Sequence, residues 1–277
     1  MEYKSSPFSL TRSRHQRLLD ELTTALEQTS AEDLRSWGLS SGVRLGSVTW
    51  RRGKGLGLAV ASLVRFLGKE LMSLGKAARS GDLRAHASDR AGAAGGGVKD
   101  AVSSFGRLAH QTVLELICEP RRSAPRLVGG LLGFLVGSGG PDGDGGIPDA
   151  DLLLGIQNHR SILTHSVLPG IIIETAILSL LELVQIVNDN LPTDHDPLWD
   201  ELRSGGEEVA EGLHRGVSFG IAYHLGVDAT VDGMGTYADL PVSLPMEGHQ
   251  AVAAAGALVE GVDARIRPDS HDKEEAQ

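Results

Sequence analysis

The chain has 277 residues, 41% of them hydrophobic, which is enough to bury a core and excludes disorder along its whole length. A single cysteine, Cys118, excludes a disulfide framework and a cysteine-rich zinc module. The net charge of −10 is uneven: residues 1–130 hold 20 Lys and Arg against 12 Asp and Glu, and residues 131–277 hold 6 against 24.

Residues 1–16 contain no apolar run, so no secretory signal is expected. The leucines 18, 19, 22 and 26 recur at helical steps and predict a helix over 11–29. Ser30 and Asp33 have the spacing of a capping box and mark a second helix start. Residues 43–51 alternate apolar and polar and predict a short strand. Two amphipathic stripes follow: Leu56, Val60, Leu63, Leu67, Leu71 and Leu74, then Val98, Val102, Phe105, Ala109, Val113 and Leu116. Between them, the small, Gly-rich residues 79–97 read as a flexible connector. The two stripes read as a helical hairpin packed on the rest of the chain. Because Arg65, Lys69, Lys76 and Arg79 accompany the first stripe, the alternative for residues 55–79 is a membrane-surface helix, a peripheral membrane contact.

The sequence CEPRRSAPR (118–126) marks a boundary, giving an N-terminal helical region over 1–124, a second unit over 125–265 and a frayed tail over 266–277. The second unit opens with an apolar stretch at 127–136 and a Gly- and Asp-rich loop at 137–151. Helices are predicted over 161–187, 207–227 and 248–262, with polar loops at 188–205 and 229–246. No stretch offers about 20 uninterrupted apolar residues for a membrane span; the best, 167–187, contains Glu174 and Glu182. The expected fold is a mainly α helical bundle with a Gly/Asp-rich loop and an amphipathic N-terminal region. The expected location is cytoplasmic, soluble or peripheral at the inner membrane face.

Chemistry-bearing residues crowd into the acidic half. His224 and Asp228 are four apart on a predicted helix, so they share a face and suit either a metal or a local ion pair. Asp149 and Asp151 sit where a loop enters a helix; they suit helix capping, and their mutual repulsion suits a cation. His159 and His165, six apart, converge only if the chain between them is irregular, and Pro169 makes a helix entry there feasible. Arg160 would stand beside them as an anion-holding cation, and Thr164 and Ser166 as hydrogen-bond donors or caps. Asp142-x-Asp144 lacks the Gly and Glu of a calcium loop. Asp194-His195-Asp196 lies in a Pro-bounded polar loop and reads as exposed punctuation rather than a metal motif.

Taken in order, PDAD, HRSILTHS and YHLGVDATVDG make residues 125–245 resemble the YdjM-like family of membrane-bound metal-dependent hydrolases. Asp149, Asp151, His159, Arg160, Thr164, His165, Ser166, His224 and Asp228 match that family's pattern. The resemblance implies a divalent metal held by Asp149, Asp151, His159, His165, His224 and Asp228, with His159, Arg160 and Asp228 active in catalysis. The mixed imidazole and carboxylate set favours Zn²⁺ over Mn²⁺. A metal-activated water would attack a small-molecule, nucleotide or lipid phosphoester, since Arg160 beside a metal suits phosphate. The competing expectation is a non-enzymatic, membrane-associating or partner-binding helical protein with a structural metal. Nucleic acid is not an expected partner, because the basic half lacks interleaved aromatics.

Overall fold

The computed structural model describes residues 11–140, 145–154, 161–230, 237, 239 and 244–265. It is mainly α-helical, and no strand occurs among the described residues. In chain order the helices are α1 (Arg12–Gln28), α2 (Ala31–Ser80), α3 (Leu83–Cys118), α4 (Pro120–Ser138), α5 (Leu168–Asp189), α6 (Leu198–Thr230) and α7 (Met246–Asp263), with a 3-10 helix at Pro148–Leu154.

The capping box at Ser30 and Asp33 forms as expected, with Ser30 accepting from the Asp33 N–H and Asp33 accepting from the Ser30 N–H. It opens a helix of 50 residues, about 75 Å long at 1.5 Å per residue. Residues 43–51 are therefore helical, not a strand. Their buried face repeats at four-residue steps through Arg44, Val48 and Arg52, and two of those three are cations, so hydrophobic periodicity did not register it. Trp37 donates to the Ser179 carbonyl at 2.7 Å, and Arg44 pairs with Glu182 at 2.6 Å, which fixes α2 along α5. Val48, Leu56 and Ala59 complete the seam against Val167, Ile171 and Val259.

The expected flexible connector at 79–97 is also helical from Leu83 onward. Only Gly81, in the left-handed conformation with φ 79°, and Asp82 separate α2 from α3. The segment contains no proline, and its alanines are strong helix formers that offset the glycines. The polar segment 188–205 is shorter than expected as a loop, because Asp196 accepts the Leu198 N–H and starts α6 there. Asp196 is itself buried and clamped by Arg14 at 2.8 and 2.6 Å, so it latches α1 to the bundle and is not exposed punctuation.

The closest helix pair is α4 against α6. Gly129, Gly133 and Gly137 face Gly212, Gly216 and Gly220, and a methyl group on any of them would lie no more than 2.6 Å from a carbonyl oxygen of the opposite helix. Small residues at four-residue spacing let two backbones touch in this way. Beside this seam, Val217, Ile221 and Leu225 of α6 are buried with Ile147, Ile173 and Ala257, each side chain contributing about 1.5–3 kcal/mol. Helix α5 is apolar and long enough to cross a membrane, with mean hydropathy 2.0 over its most apolar 18 residues. Its Glu174 and Glu182 bind α2 arginines, and 28% of that window is buried.

Candidate metal centre

Three pieces of chain deliver the candidate ligands to one place. The first is the loop before the 3-10 helix. Gly145 and Gly146 take φ of 92° and 76°, and the Ile147 N–H binds the Val136 carbonyl at 2.9 Å, so the loop folds back on the end of α4. A side chain on Gly146 would strike that same carbonyl oxygen at 2.9 Å, which restricts the position to glycine. The Gly145 N–H then donates to Asp149 Oδ2 at 2.5 Å, leaving Oδ1 to face the interior. The second piece is the turn over 161–167, which enters α5 with Pro169 in its first turn, where no N–H is needed. The helix expected over 161–187 thus begins at Leu168, and His165 lies in the entry. Ser166 is a local cap, its hydroxyl accepting the Leu168 N–H at 3.1 Å. The third piece is α6, which carries His224 and Asp228 on one face.

Asp149, His165 and His224 offer ligand atoms that all lie within 4.8 Å of one another. His165 Nε2 is 3.6 Å from Asp149 Oδ1 and 3.7 Å from Asp228 Oδ2. His224 Nε2 is 3.8 Å from Asp149 Oδ1 and 3.6 Å from Asp228 Oδ2. Bonds of about 2.0–2.1 Å around one ion put neighbouring donors about 3.0–3.4 Å apart. The observed spacings exceed that by a few tenths of an ångström. Both imidazoles are buried, and His224 Nε2 has no hydrogen-bond partner. A buried polar atom left so is costly unless something else satisfies it. The carboxylates of Asp149 and Asp228 are each 10% exposed and form the more accessible side.

Asp151 has a different place from Asp149. Its Oδ2 lies 3.3 Å from His165 Nδ1 and accepts the Thr164 hydroxyl at 2.7 Å and the Ser161 N–H at 2.9 Å. The Thr164 hydroxyl lies closer still to His165 Nδ1, at 3.1 Å, so Asp151 and Thr164 together orient His165 from behind. A carboxylate on the second ring nitrogen fixes the tautomer whose Nε2 lone pair points at a metal. His224 Nδ1 faces the Ser138 carbonyl at 3.5 Å in the same sense, at the far end of the glycine seam. Tyr237 donates its hydroxyl to the His165 carbonyl at 2.7 Å, and Asp239 accepts from Ser161 Oγ and the Ile162 N–H at 2.6 and 2.7 Å. Those bonds, the Ser161 hydroxyl first, hold the Asp239 carboxyl below the usual range.

His159 and Arg160 lie outside the described residues, as do Asp142, Asp144, Asp232 and Gly233. Compared with family models, curated proteins and solved structures, the chain matches none.

A second group of acids and imidazole, Glu174, His214 and Asp263, is also close enough to surround an ion. There the cation is already present. Arg52, with its guanidinium fully buried, lies 2.9 Å from Glu174 and 2.6 Å from Asp263 and pairs with Glu260, while Arg51 reaches Glu174 at 2.5 Å. Burial alone would raise the Glu174 carboxyl, but the His214 imidazole 3.4 Å away and the Arg52 and Arg51 charges hold it at about 2. A cavity of about 970 Å³ lies elsewhere again, between α5 and α6, with Leu22, Leu178, Leu181, Trp199 and Leu213 in its walls. The sequence draws attention to the loop over Thr230–Tyr237 but not to Asp239 or the Arg52 cluster. A Pro- and Gly-rich loop gives no register for Asp239, and the members of the cluster are scattered from residue 51 to 263.

Proposed function

We propose that this chain is a metal-dependent hydrolase whose ion is held by Asp149, His165, His224 and Asp228, with Zn²⁺ ahead of Mn²⁺ and a phosphoester as substrate. The observation that carries the reading is the convergence of two buried imidazole Nε2 atoms and two carboxylates on one ion-sized space. When bound, the ion lowers the pKa of a coordinated water towards neutrality and polarises the scissile oxygen. Asp151 keeps the proton on His165 Nδ1, so that Nε2 stays a donor lone pair. Asp149 and Asp228 balance the ion's charge and line the side from which water and substrate enter. His159 is assigned the general acid or base, and Arg160 the substrate's anionic group.

Mixed N/O donors, together with Arg160 five residues before His165 in the sequence, favour a phosphoester, whether of a lipid or a nucleotide. A lipid substrate and a peripheral place at the inner membrane face draw support from α2. There Val60, Val64, Leu71 and Leu74 lie exposed along one face, with Arg65, Lys69, Lys76 and Arg79 around the rest.

A second reading, a structural metal in a non-enzymatic helical protein, is favoured by the donor count. Four protein donors fill a tetrahedral ion and leave no open position. Phosphodiester hydrolysis by the zinc-loaded chain separates the two. Turnover lost in Asp228→Asn with metal retained supports the hydrolase. Bound metal without turnover on any phosphoester supports the structural site.

A further inference from the structure

The Arg52 cluster holds an unbalanced charge. Arg51 and Arg52 of α2 supply two positive charges, and Glu174 of α5 with Glu260 and Asp263 of α7 supply three negative ones when all are ionised. From α6, His214 Nε2 lies 3.4 Å from Glu174 and 3.8 Å from Asp263, and Ser218 Oγ accepts from Arg52 at 3.3 Å. Arg52, Glu174, His214, Glu260 and Asp263 are all buried, and Glu260 is 0% exposed. The cluster packs closely on α5: a side chain on Gly170 would collide with the Arg52 guanidinium and with the Glu260 carboxylate. Water cannot screen the surplus charge in such a site, and an uncompensated buried charge is strongly destabilising. One bound proton cancels it.

We propose that the six groups Arg51, Arg52, Glu174, His214, Glu260 and Asp263 form a buried one-proton switch that locks α2 onto α5, α6 and α7 when protonated and loosens it when the proton leaves. Glu260 carries the proton. It is the most deeply buried of the three acids, and it shares Arg52 with two other carboxylates. Burial raises its carboxyl to about 7, against the opposing pull of Arg52 and with the Asp263 charge adding to the rise; burial raises Asp263 as well. A carboxyl raised on folding stabilises the fold fully below its unfolded value of about 4.5, and that contribution fades as pH climbs through about 7. The device acts on α2 because most of that helix's polar attachment passes through Arg51 and Arg52 in the cluster and through Arg44 beside it.

The test is infrared spectroscopy and amide exchange on the full chain between pH 5.5 and 8. A protonated-carboxyl band is expected at the low end, absent at the high end and absent throughout in Glu260→Gln. Protection of the α2 amides at 45–59, corrected for intrinsic exchange, is expected to fall by up to about tenfold per pH unit in the wild type. In Glu260→Gln it stays flat. A wild type without the band, a band that survives Glu260→Gln, or α2 protection independent of pH overturns the proposal. If Glu260→Gln does not fold, the wild-type band and its α2 protection decide.

Discussion

Asp151 Oδ2 stands 3.3 Å from His165 Nδ1, behind the imidazole whose Nε2 faces Asp149 and Asp228. Two acids only two residues apart thus divide the work, one on the ion's side of the ring and one behind it. Asp151→Asn keeps the shape but takes the negative charge from the tautomer-setting bond. Metal affinity is expected to fall by about 10–100-fold with the helical spectrum unchanged. Competition against a chromophoric chelator reads this directly. Unaltered affinity would remove Asp151 from the site.

Arg52 is the single cation that touches all three buried acids of its cluster. Arg52→Met leaves those acids buried without it, at a cost of about 3–5 kcal/mol. For a chain of this size that corresponds to a melting midpoint lower by on the order of 10 °C. A midpoint within a degree or two of the wild type would show the cluster to be solvated.

The same cluster sets an acid limit. Glu174 is held down at about 2 in the folded chain, so its stabilisation is present above its unfolded value of about 4.5 and lost as pH falls towards 2. Chemical denaturation between pH 5 and 2 is expected to show this fall in the wild type. The slope should be shallower in Glu174→Gln, although that variant starts from lower stability.

The glycine seam offers a test with two signs. Gly216→Val forces a side chain into the Gly130 carbonyl and the Phe134 amide, and an overpacked contact of this kind costs about 1–3 kcal/mol or more. Because α6 carries His224 and Asp228, metal affinity should fall with it. Gly205 lies on the same helix with nothing near its absent side chain, so Gly205→Ala is expected to stabilise by about 0.5–1 kcal/mol. Thermal melts of both variants check this; equal destabilisation would contradict the seam's geometry.

The helical class could be read from the sequence, because helical periodicity is local, whereas the metal set Asp149, Asp151, His159, His165, His224 and Asp228 was carried by the motif resemblance. Of that set Asp149, His165, His224 and Asp228 meet, Asp151 stands behind His165 and His159 lies outside the described residues. Helical spacing puts His224 and Asp228 on one face, and Pro169 ends the irregular entry that carries His165. The face of α2 was not legible in the same way. Its inward positions, half-buried Arg44 and buried Val48 and Arg52, are mostly charged, and only partners on α5 and α7, more than 100 residues away, make that tolerable. A strand pattern at 43–51 was the local appearance of that long-range compensation. The four-residue spacing of the glycines in α4 and α6 was not read from the sequence, because each run acquires meaning only when set against the other.

Elemental analysis of the purified full chain beside a His165→Ala/Asp228→Ala variant bears most directly on the metal centre. One equivalent of a divalent ion in the wild type and none in the variant, with both chains equally helical, is the predicted result. A wild type that takes up no ion when zinc is supplied, or a variant that binds it as tightly, would contradict the account.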